Sequence, residues 1–295
     1  MWAILALVSA FFLGIYDLMK KKSLHNNPVI PVLFYATLSG AIIFLPFVII
    51  SIFFPYLLNE TIFFVEQVSL KAHLLFVIKS IIVASSWILA YYAVKNLPLT
   101  IVSPIRASAP VWVLLGGLIF FGERLTLVQW IGILFTFVFY YLFSLAGKKE
   151  GIHFKTNKWV LYISLATIIG SISSLYDKYL TMHYPRMSIQ AFYMIYMVFL
   201  FIPILIYDRK KDKTPIHFTI FIPLIGAVLS VADFVYFYAL SIPDSLVSVV
   251  SILRRGSVII SFALGAYFFA EKNLKNKALA LWGIVTGIVI IILGS

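Results

Sequence analysis

The feature that most constrains this chain is a succession of long apolar stretches joined by short polar connections. A helix needs roughly 17–25 mainly apolar residues to cross a bilayer, because it rises only about 1.5 Å per residue. Ten stretches of about this length lie at residues 1–19, 29–54, 73–94, 99–121, 126–146, 159–180, 189–207, 216–240, 246–270 and 278–294. Open strands cannot satisfy their backbone groups in lipid. We therefore predict an all-α integral membrane protein with ten transmembrane helices.

The composition excludes several classes of protein. Hydrophobic residues make up 62% of the chain and charged residues 12%, whereas soluble domains have about 45–50% and about 25%. The net charge of +12 comes from basic residues grouped between the apolar stretches, which indicates a lipid bilayer as partner rather than nucleic acid. There are no cysteines, which excludes disulfides, zinc–thiolate sites and a cysteine nucleophile.

The connections differ in charge, and the difference predicts an orientation. Those after odd-numbered stretches contain about 15 lysines and arginines, and those after even-numbered stretches about 3. The basic connections are residues 20–22, 148–158, 209–213 and 272–277. Basic loops remain in the cytoplasm. Both termini are therefore predicted to lie outside the cytoplasm.

The sequence also contains an internal repeat. The first copy includes Tyr92-Ala93-Val94, Arg106 and Phe121-Gly122-Glu123-Arg124. The second includes Tyr238-Ala239-Leu240, Arg254 and Phe269-Ala270-Glu271-Lys272. We predict two domains, 1–146 and 159–295, with five helices each. An odd number of helices inserts the second copy upside down, as in the inverted repeats of many transporters.

Ionisable side chains within apolar stretches are costly in lipid and commonly face a cavity or a partner. They are Asp17, Lys79, Arg106, Asp177, Lys178, Asp233, Arg254 and Arg255. We interpret them as a positively charged cavity that binds a carboxylate or phosphate through Arg106 with Arg254 or Arg255, with Lys79 nearby. The alternative is that aspartate–arginine pairs only hold helices together.

Two further features complete the candidate site. Asp17 and Asp177 stand near the predicted ends of their stretches and are candidates for carrying a proton, as is Asp233. The aromatic candidates are Trp87 and Tyr91 on one helix and Tyr236, three residues after Asp233, on another. Such side chains offer a cavity both apolar area and a polar tip. The alternative, which is the commoner role of a single aromatic residue, is helix packing or an interfacial belt.

Sequence signatures of enzymes are missing. The chain has no HExxH zinc helix, no P-loop and no Gly-x-Ser-x-Gly elbow. Its histidines, at 25, 73, 153, 183 and 217, have no metal-ligand spacing. We therefore predict no catalytic residues, no metal and no cofactor, and any transport would use exchange, a gradient or facilitated diffusion rather than ATP.

Several motifs resemble the repeat of the EamA family, within the drug/metabolite transporter superfamily. They are Ser103-Pro104-Ile105-Arg106, Gly122-Glu123-Arg124-Leu125 and Gln129-Trp130-Ile131-Gly132, with Ala270-Glu271-Lys272 in place of Gly-Glu-Arg in the second copy. The resemblance implies ten helices in two inverted halves around a central cavity, and export or exchange of small metabolites. It also implies cytoplasmic termini, opposite to the loop charges, which we follow here.

Together these observations predict a secondary transporter of a small polar metabolite, anionic or zwitterionic, in a bacterial-type inner membrane. The alternative is a membrane-embedded enzyme acting on a phosphorylated lipid head group, with Arg254, Arg255 and Asp233 as its site. The absence of a paired-carboxylate metal motif counts against that alternative.

Overall fold

The computed structural model describes residues 1–97, 102, 105–106, 108–145, 157–257, 259–260 and 274–294. Ten α-helices and one short 3-10 turn (Pro55–Leu57) are delimited in this part of the chain, which contains no strand. The helices are α1 (Trp2–Leu24), α2 (Val29–Phe53), α3 (Leu70–Asn96), α4 (Ala109–Phe120), α5 (Leu127–Leu145), α6 (Lys158–His183), α7 (Arg186–Lys211), α8 (Phe221–Ser241), α9 (Val247–Arg254) and α10 (Leu274–Leu293).

The helices agree with the predicted fold class, and each falls within or around one predicted stretch. Six of them, α1, α2, α3, α6, α7 and α8, are long and apolar enough to cross a membrane by length and composition. Shorter apolar segments occur in α4, α5 and α10, and α9 is described over 8 residues. The all-helical prediction is therefore confirmed, and the count of ten transmembrane helices is confirmed in part.

Several helices are longer than their apolar stretches, and in two of them the difference corrects the sequence prediction. α1 was expected to end at residue 19 and to leave Lys20 to Lys22 in a loop, but it continues to Leu24. α6 was expected to end at residue 180 and continues to His183. Asp17 and Asp177 therefore lie well inside their helices, not near the ends. In α1 the longer helix places the Lys20 ammonium against Asp17, where it is buried instead of reaching solvent.

The helix contacts are symmetric between the two halves of the chain. The most extensive pairings are α1 with α8, α3 with α6, and α5 with α10. Each helix of the first half has its counterpart five helices further on, so that α1 corresponds to α6 and α3 to α8. The pairing of α1 with α8 therefore corresponds to the pairing of α6 with α3, and the pairing of α5 with α10 corresponds to itself. Pro46 in α2 and Pro203 in α7 also stand equally far from their helix starts. The domain boundaries and the inverted orientation of the halves stay predictions.

α5 and α10 form a pair beside the other helices, and glycines allow their close approach. A Cβ added to Gly132 would lie 2.9 Å from the carbonyl oxygen of Gly287, and a Cβ added to Gly287 would lie 3.1 Å from that of Gly132. Small residues at such contacts let helix backbones approach in a membrane. None of the cavity-lining residues described below lies on α5 or α10.

Candidate functional site

A cavity of about 190 Å³ lies between α1, α3, α6, α7, α8 and α9. Nine of the eleven residues singled out from the sequence line it, and these are Lys79, Trp87, Tyr91, Arg106, Asp177, Asp233, Tyr236, Arg254 and Arg255. Asp17 is bonded to two lining side chains. Lys178 instead donates hydrogen bonds to the carbonyl oxygens of Leu240 and Ser245. Residues separated by more than 200 positions in sequence thus meet at one place.

The most buried ion pair of the cavity, among the described residues, joins Lys79 of α3 to Asp177 of α6. The Lys79 ammonium forms a hydrogen-bonded ion pair with Oδ1 of Asp177, and their side chains are 3% and 8% exposed. The same ammonium lies 4.5 Å from the ring centroid of Tyr193 and 5.3 Å from that of Phe237. Carboxylate and aromatic rings together compensate the buried lysine. The pair joins the two halves of the chain.

A second ion pair joins α8 to α9. Nη2 of Arg254 donates to Oδ1 of Asp233 at 2.8 Å, and the hydroxyl of Tyr193 donates to Oδ2 at 2.9 Å. The guanidinium of Arg254 lies 3.8 Å from the ring centroid of Tyr236. Asp233 and Tyr236 present their side chains to the same arginine because they are three residues apart on one helix face.

A third cluster lies at the other side of the cavity. Oδ1 of Asp17 accepts hydrogen bonds from Lys20 at 2.6 Å and from Nη1 of Arg106 at 3.1 Å. The Lys20 ammonium is also 4.4 Å from the ring centroid of Tyr16, whose hydroxyl is 3.2 Å from that of Tyr91. One carboxylate therefore pairs with two cations here, which leaves this group of three side chains with a formal charge of +1.

Arg255 differs from the other cations of the cavity. It follows Arg254 at the end of α9 and lines the cavity. Among the described residues, no carboxylate lies within ion-pair distance of its guanidinium. Its electrostatic neighbours include the cations Arg106, Arg254 and Lys20 and, beyond ion-pair distance, the carboxylate of Asp17.

Sequence reasoning missed three side chains of the cavity. Lys20 was assigned to a basic loop, and Tyr16 and Tyr193 were not singled out. The three-residue spacing of Asp17 and Lys20 could have revealed Lys20, since it places both on one helix face. No local signal identifies Tyr193, because its role depends on how α7 packs against α8.

Glu123, identified above as a marker of the repeat, holds the start of α9. Its carboxylate accepts hydrogen bonds from the hydroxyl and backbone N–H of Ser248 and from the backbone N–H of Val247. It follows Gly122, whose positive φ of 61° suits glycine. The carboxylate satisfies helix N-terminal donors and so fixes the helix that ends at Arg254. Its predicted counterpart, Glu271, lies outside the described residues.

The described residues contain no group of three or more histidine, aspartate or glutamate side chains arranged to hold a metal ion. His73 instead contacts the hydroxyl of Tyr196, with 2.7 Å between that oxygen and Nδ1. The chemistry available in the cavity is therefore that of cations, carboxylates, hydroxyls and aromatic rings. Such groups can bind and release a polar solute.

The architecture and the motifs agree with a comparison against known families, in which residues 1–145 and 157–293 match the model of the EamA-like transporter family. The chain belongs to this family. The resemblance seen in the sequence is thereby confirmed, and the EamA-like chain is an integral membrane protein built from two repeats. Members of the EamA-like family are membrane transporters of the drug/metabolite transporter superfamily, not enzymes.

Other comparisons add information on the fold alone. A crystal structure of another protein matches the EamA-like chain with a TM-score of 0.73, covering 99% of this chain and 96% of that one. The two sequences are 13% identical, so the similarity concerns architecture only. No curated protein sequence matches the chain significantly.

Proposed function

We propose that this EamA-like protein is a secondary transporter, an exporter or an exchanger, of a small polar metabolite that is anionic or zwitterionic. The observation that supports the proposal is the charge of the cavity. Among the residues that the structure describes, five basic side chains line it, whereas two carboxylates line it and a third, Asp17, is bonded to two of its cations. A formal surplus of two positive charges results.

Such a surplus is costly inside a membrane. A single arginine at the centre of a transmembrane helix costs about 2.5–3.5 kcal/mol on insertion scales. Water, an inorganic anion or the substrate has to compensate the surplus positive charge. A substrate with an anionic group gains affinity from that need, and the aromatic side chains Trp87, Tyr91 and Tyr236 offer area for its apolar part.

The driving force proposed is exchange or an ion gradient, in a bacterial-type inner membrane. If a proton accompanies the substrate, Asp17 and Asp177 are the candidates to carry it. Asp177 lines the cavity and Asp17 is bonded to two of its cations. A Tyr-Asp pair occurs at both places, at 16–17 in the first predicted repeat and at 176–177 in the second. Each is held in an ion pair. Protonation would therefore release a cation, which links proton binding to anion binding at the same site.

The experiment is a thermal-stabilisation screen of the purified protein, followed by transport in liposomes. Metabolites would be tested as matched groups of anions, zwitterions, cations and neutral polar compounds, since a ligand that binds only the folded state raises the melting temperature. We expect hits among anions or zwitterions, and counterflow of the best hit into preloaded liposomes. Protein-free liposomes are the control. Stabilisation and counterflow by cations alone would contradict the proposal.

A further inference from the structure

The positive surplus of the cavity is not evenly distributed. Lys79 and Arg254 each have a carboxylate of their own, Asp177 and Asp233 respectively. Each of these two pairs is formally neutral. The surplus is therefore located at the remaining cations, on the side formed by α1, the residues before α4, and the end of α9.

That side contains Lys20, Arg106 and Arg255, with Asp17 as the carboxylate bonded to the first two. Arg255 has no carboxylate within ion-pair distance among the described residues. The charges of Lys20 and Arg106 both lie close enough to Arg255 to interact with its guanidinium. The local formal charge is thus +2, made by three cations and one anion that all border or touch the same cavity.

Three cations in a site of low dielectric repel one another more strongly than they would in water. Lys20 is only 4% exposed, so bulk water offers its ammonium little relief. The two guanidinium groups present planar forks of N–H donors, a geometry that suits carboxylate and phosphate oxygens. Ser251, one helical turn before Arg255, lines the cavity too and adds a hydroxyl on the same face of α9.

We infer that Lys20, Arg106 and Arg255 form a subsite for a doubly charged anionic group, such as a phosphate monoester or a dicarboxylate. The sequence analysis named Arg254 beside Arg106 as an anion-binding residue. In this inference the Arg254–Asp233 pair lies next to the subsite and, being formally neutral, does not contribute to its net charge. This inference rests on the proposed function, because it takes the cavity to be the substrate site. It specifies the substrate class as dianionic and selects three side chains as those that recognise it.

The test compares ligands that differ in charge and little else. Methyl phosphate is a dianion at pH 8, because its second pKa is about 6, whereas dimethyl phosphate is a monoanion. Succinate and its monomethyl ester, which is a monoanion, form a second pair. Titration calorimetry of the full-length protein in detergent would measure all four. We expect methyl phosphate or succinate to bind about ten-fold or more tightly than its monoanionic counterpart. Which dianion is preferred distinguishes a phosphate group from two carboxylates.

The variants locate the subsite. Arg255→Gln and Lys20→Met each remove one surplus charge and should lower the dianion preference about ten-fold. Arg255→Lys keeps the charge and should retain most of the preference. Lys71→Met removes a positive charge from an exposed position outside the cavity, and we expect its preference for dianions to match that of the unmodified protein. Melting curves without ligand identify variants that fail to fold. If Arg255→Gln fails to fold, Lys20→Met tests the subsite in its place.

Four results would overturn the inference. Equal binding of monoanions and dianions would show that the surplus does not select charge. Unchanged preference in both Arg255→Gln and Lys20→Met would place the anion elsewhere. Binding of zwitterions alone would refute the dianion subsite and leave the proposed transporter intact, whereas the absence of binding and counterflow for every anion and zwitterion would refute both.

Discussion

The hydroxyl of Tyr193 lies 2.9 Å from Oδ2 of Asp233, while the other oxygen of that carboxylate accepts from Arg254 at 2.8 Å. Both carboxylate oxygens are therefore occupied. The arrangement connects α7, α8 and α9 through one side chain. Because Asp233 is mostly buried, each of these bonds has little competition from water.

Tyr193→Phe removes the hydroxyl and leaves the ring in place. We expect a loss of about 1–2 kcal/mol in stability, since hydrogen bonds between membrane helices contribute modestly and a charged acceptor strengthens them. Thermal unfolding of the purified variant measures the loss. Tyr141→Phe is the matched control, because Tyr141 is 61% exposed on α5. Equal melting temperatures for both variants would contradict the structural role of the hydroxyl.

The buried pair of Lys79 and Asp177 gives a second prediction. Lys79→Met and Asp177→Asn should each lower stability by about 3–5 kcal/mol, because each leaves a charge buried without its partner. The double variant should lose less than the two single losses combined, since it leaves no charge behind. Unfolding in denaturant compares the four proteins. Additive losses would show that the two groups do not depend on each other.

The sequence was informative about charges that lie within apolar stretches. Arg106, Asp233 and Arg254 stood out because an ionised group in lipid requires a partner, and the structure brings them round one cavity. That physical rule holds whatever the tertiary arrangement. Whether these side chains bind substrate stays a prediction, and the binding measurements above are its test.

The sequence was less informative where tertiary packing decides the outcome. Lys20 belongs to a run of three lysines that looks like the end of a span, yet it alone is buried, because the helix continues and turns its ammonium toward Asp17. Tyr193 has no neighbouring charge in sequence, and its partner Asp233 is 40 residues away. Apolar length and loop charge indicate where helices cross, but they do not specify which helix faces meet.

Glu123 provides a third prediction, concerning the end of α9. Glu123→Gln keeps the size of the side chain but replaces one acceptor oxygen with a donor, which cannot accept from the N–H groups of Val247 or Ser248. We expect a loss of about 1–2 kcal/mol, as for the removal of a helix cap. Thermal unfolding is the measurement. Glu60→Gln is the control, because Glu60 lies exposed between α2 and α3.

The same variant should affect ligand binding at a distance. Glu123 contacts the first residues of α9, and Arg254 and Arg255 stand at its other end. If the cap fixes this helix, anion affinity should fall in Glu123→Gln while a folded population remains. Unchanged affinity together with lowered stability would limit Glu123 to a structural role.

The final prediction concerns the membrane topology, and the absence of cysteine makes it directly testable. Asn59 and Lys213 are exposed in the connections α2–α3 and α7–α8, which are equivalent in the two predicted repeats. Five helices lie between them. If all five cross the membrane, the two connections lie on opposite sides, as inverted repeats require.

Single cysteines at these positions, Asn59→Cys and Lys213→Cys, would be treated with a membrane-impermeant maleimide. The loop charges predict that Asn59→Cys reacts in intact cells and that Lys213→Cys reacts only after permeabilisation. The reversed pattern would support cytoplasmic termini, as the family resemblance implies, and would preserve the inverted repeat. Reaction of both cysteines from the same side would contradict the inverted repeat itself, because an even number of crossings would then separate equivalent connections.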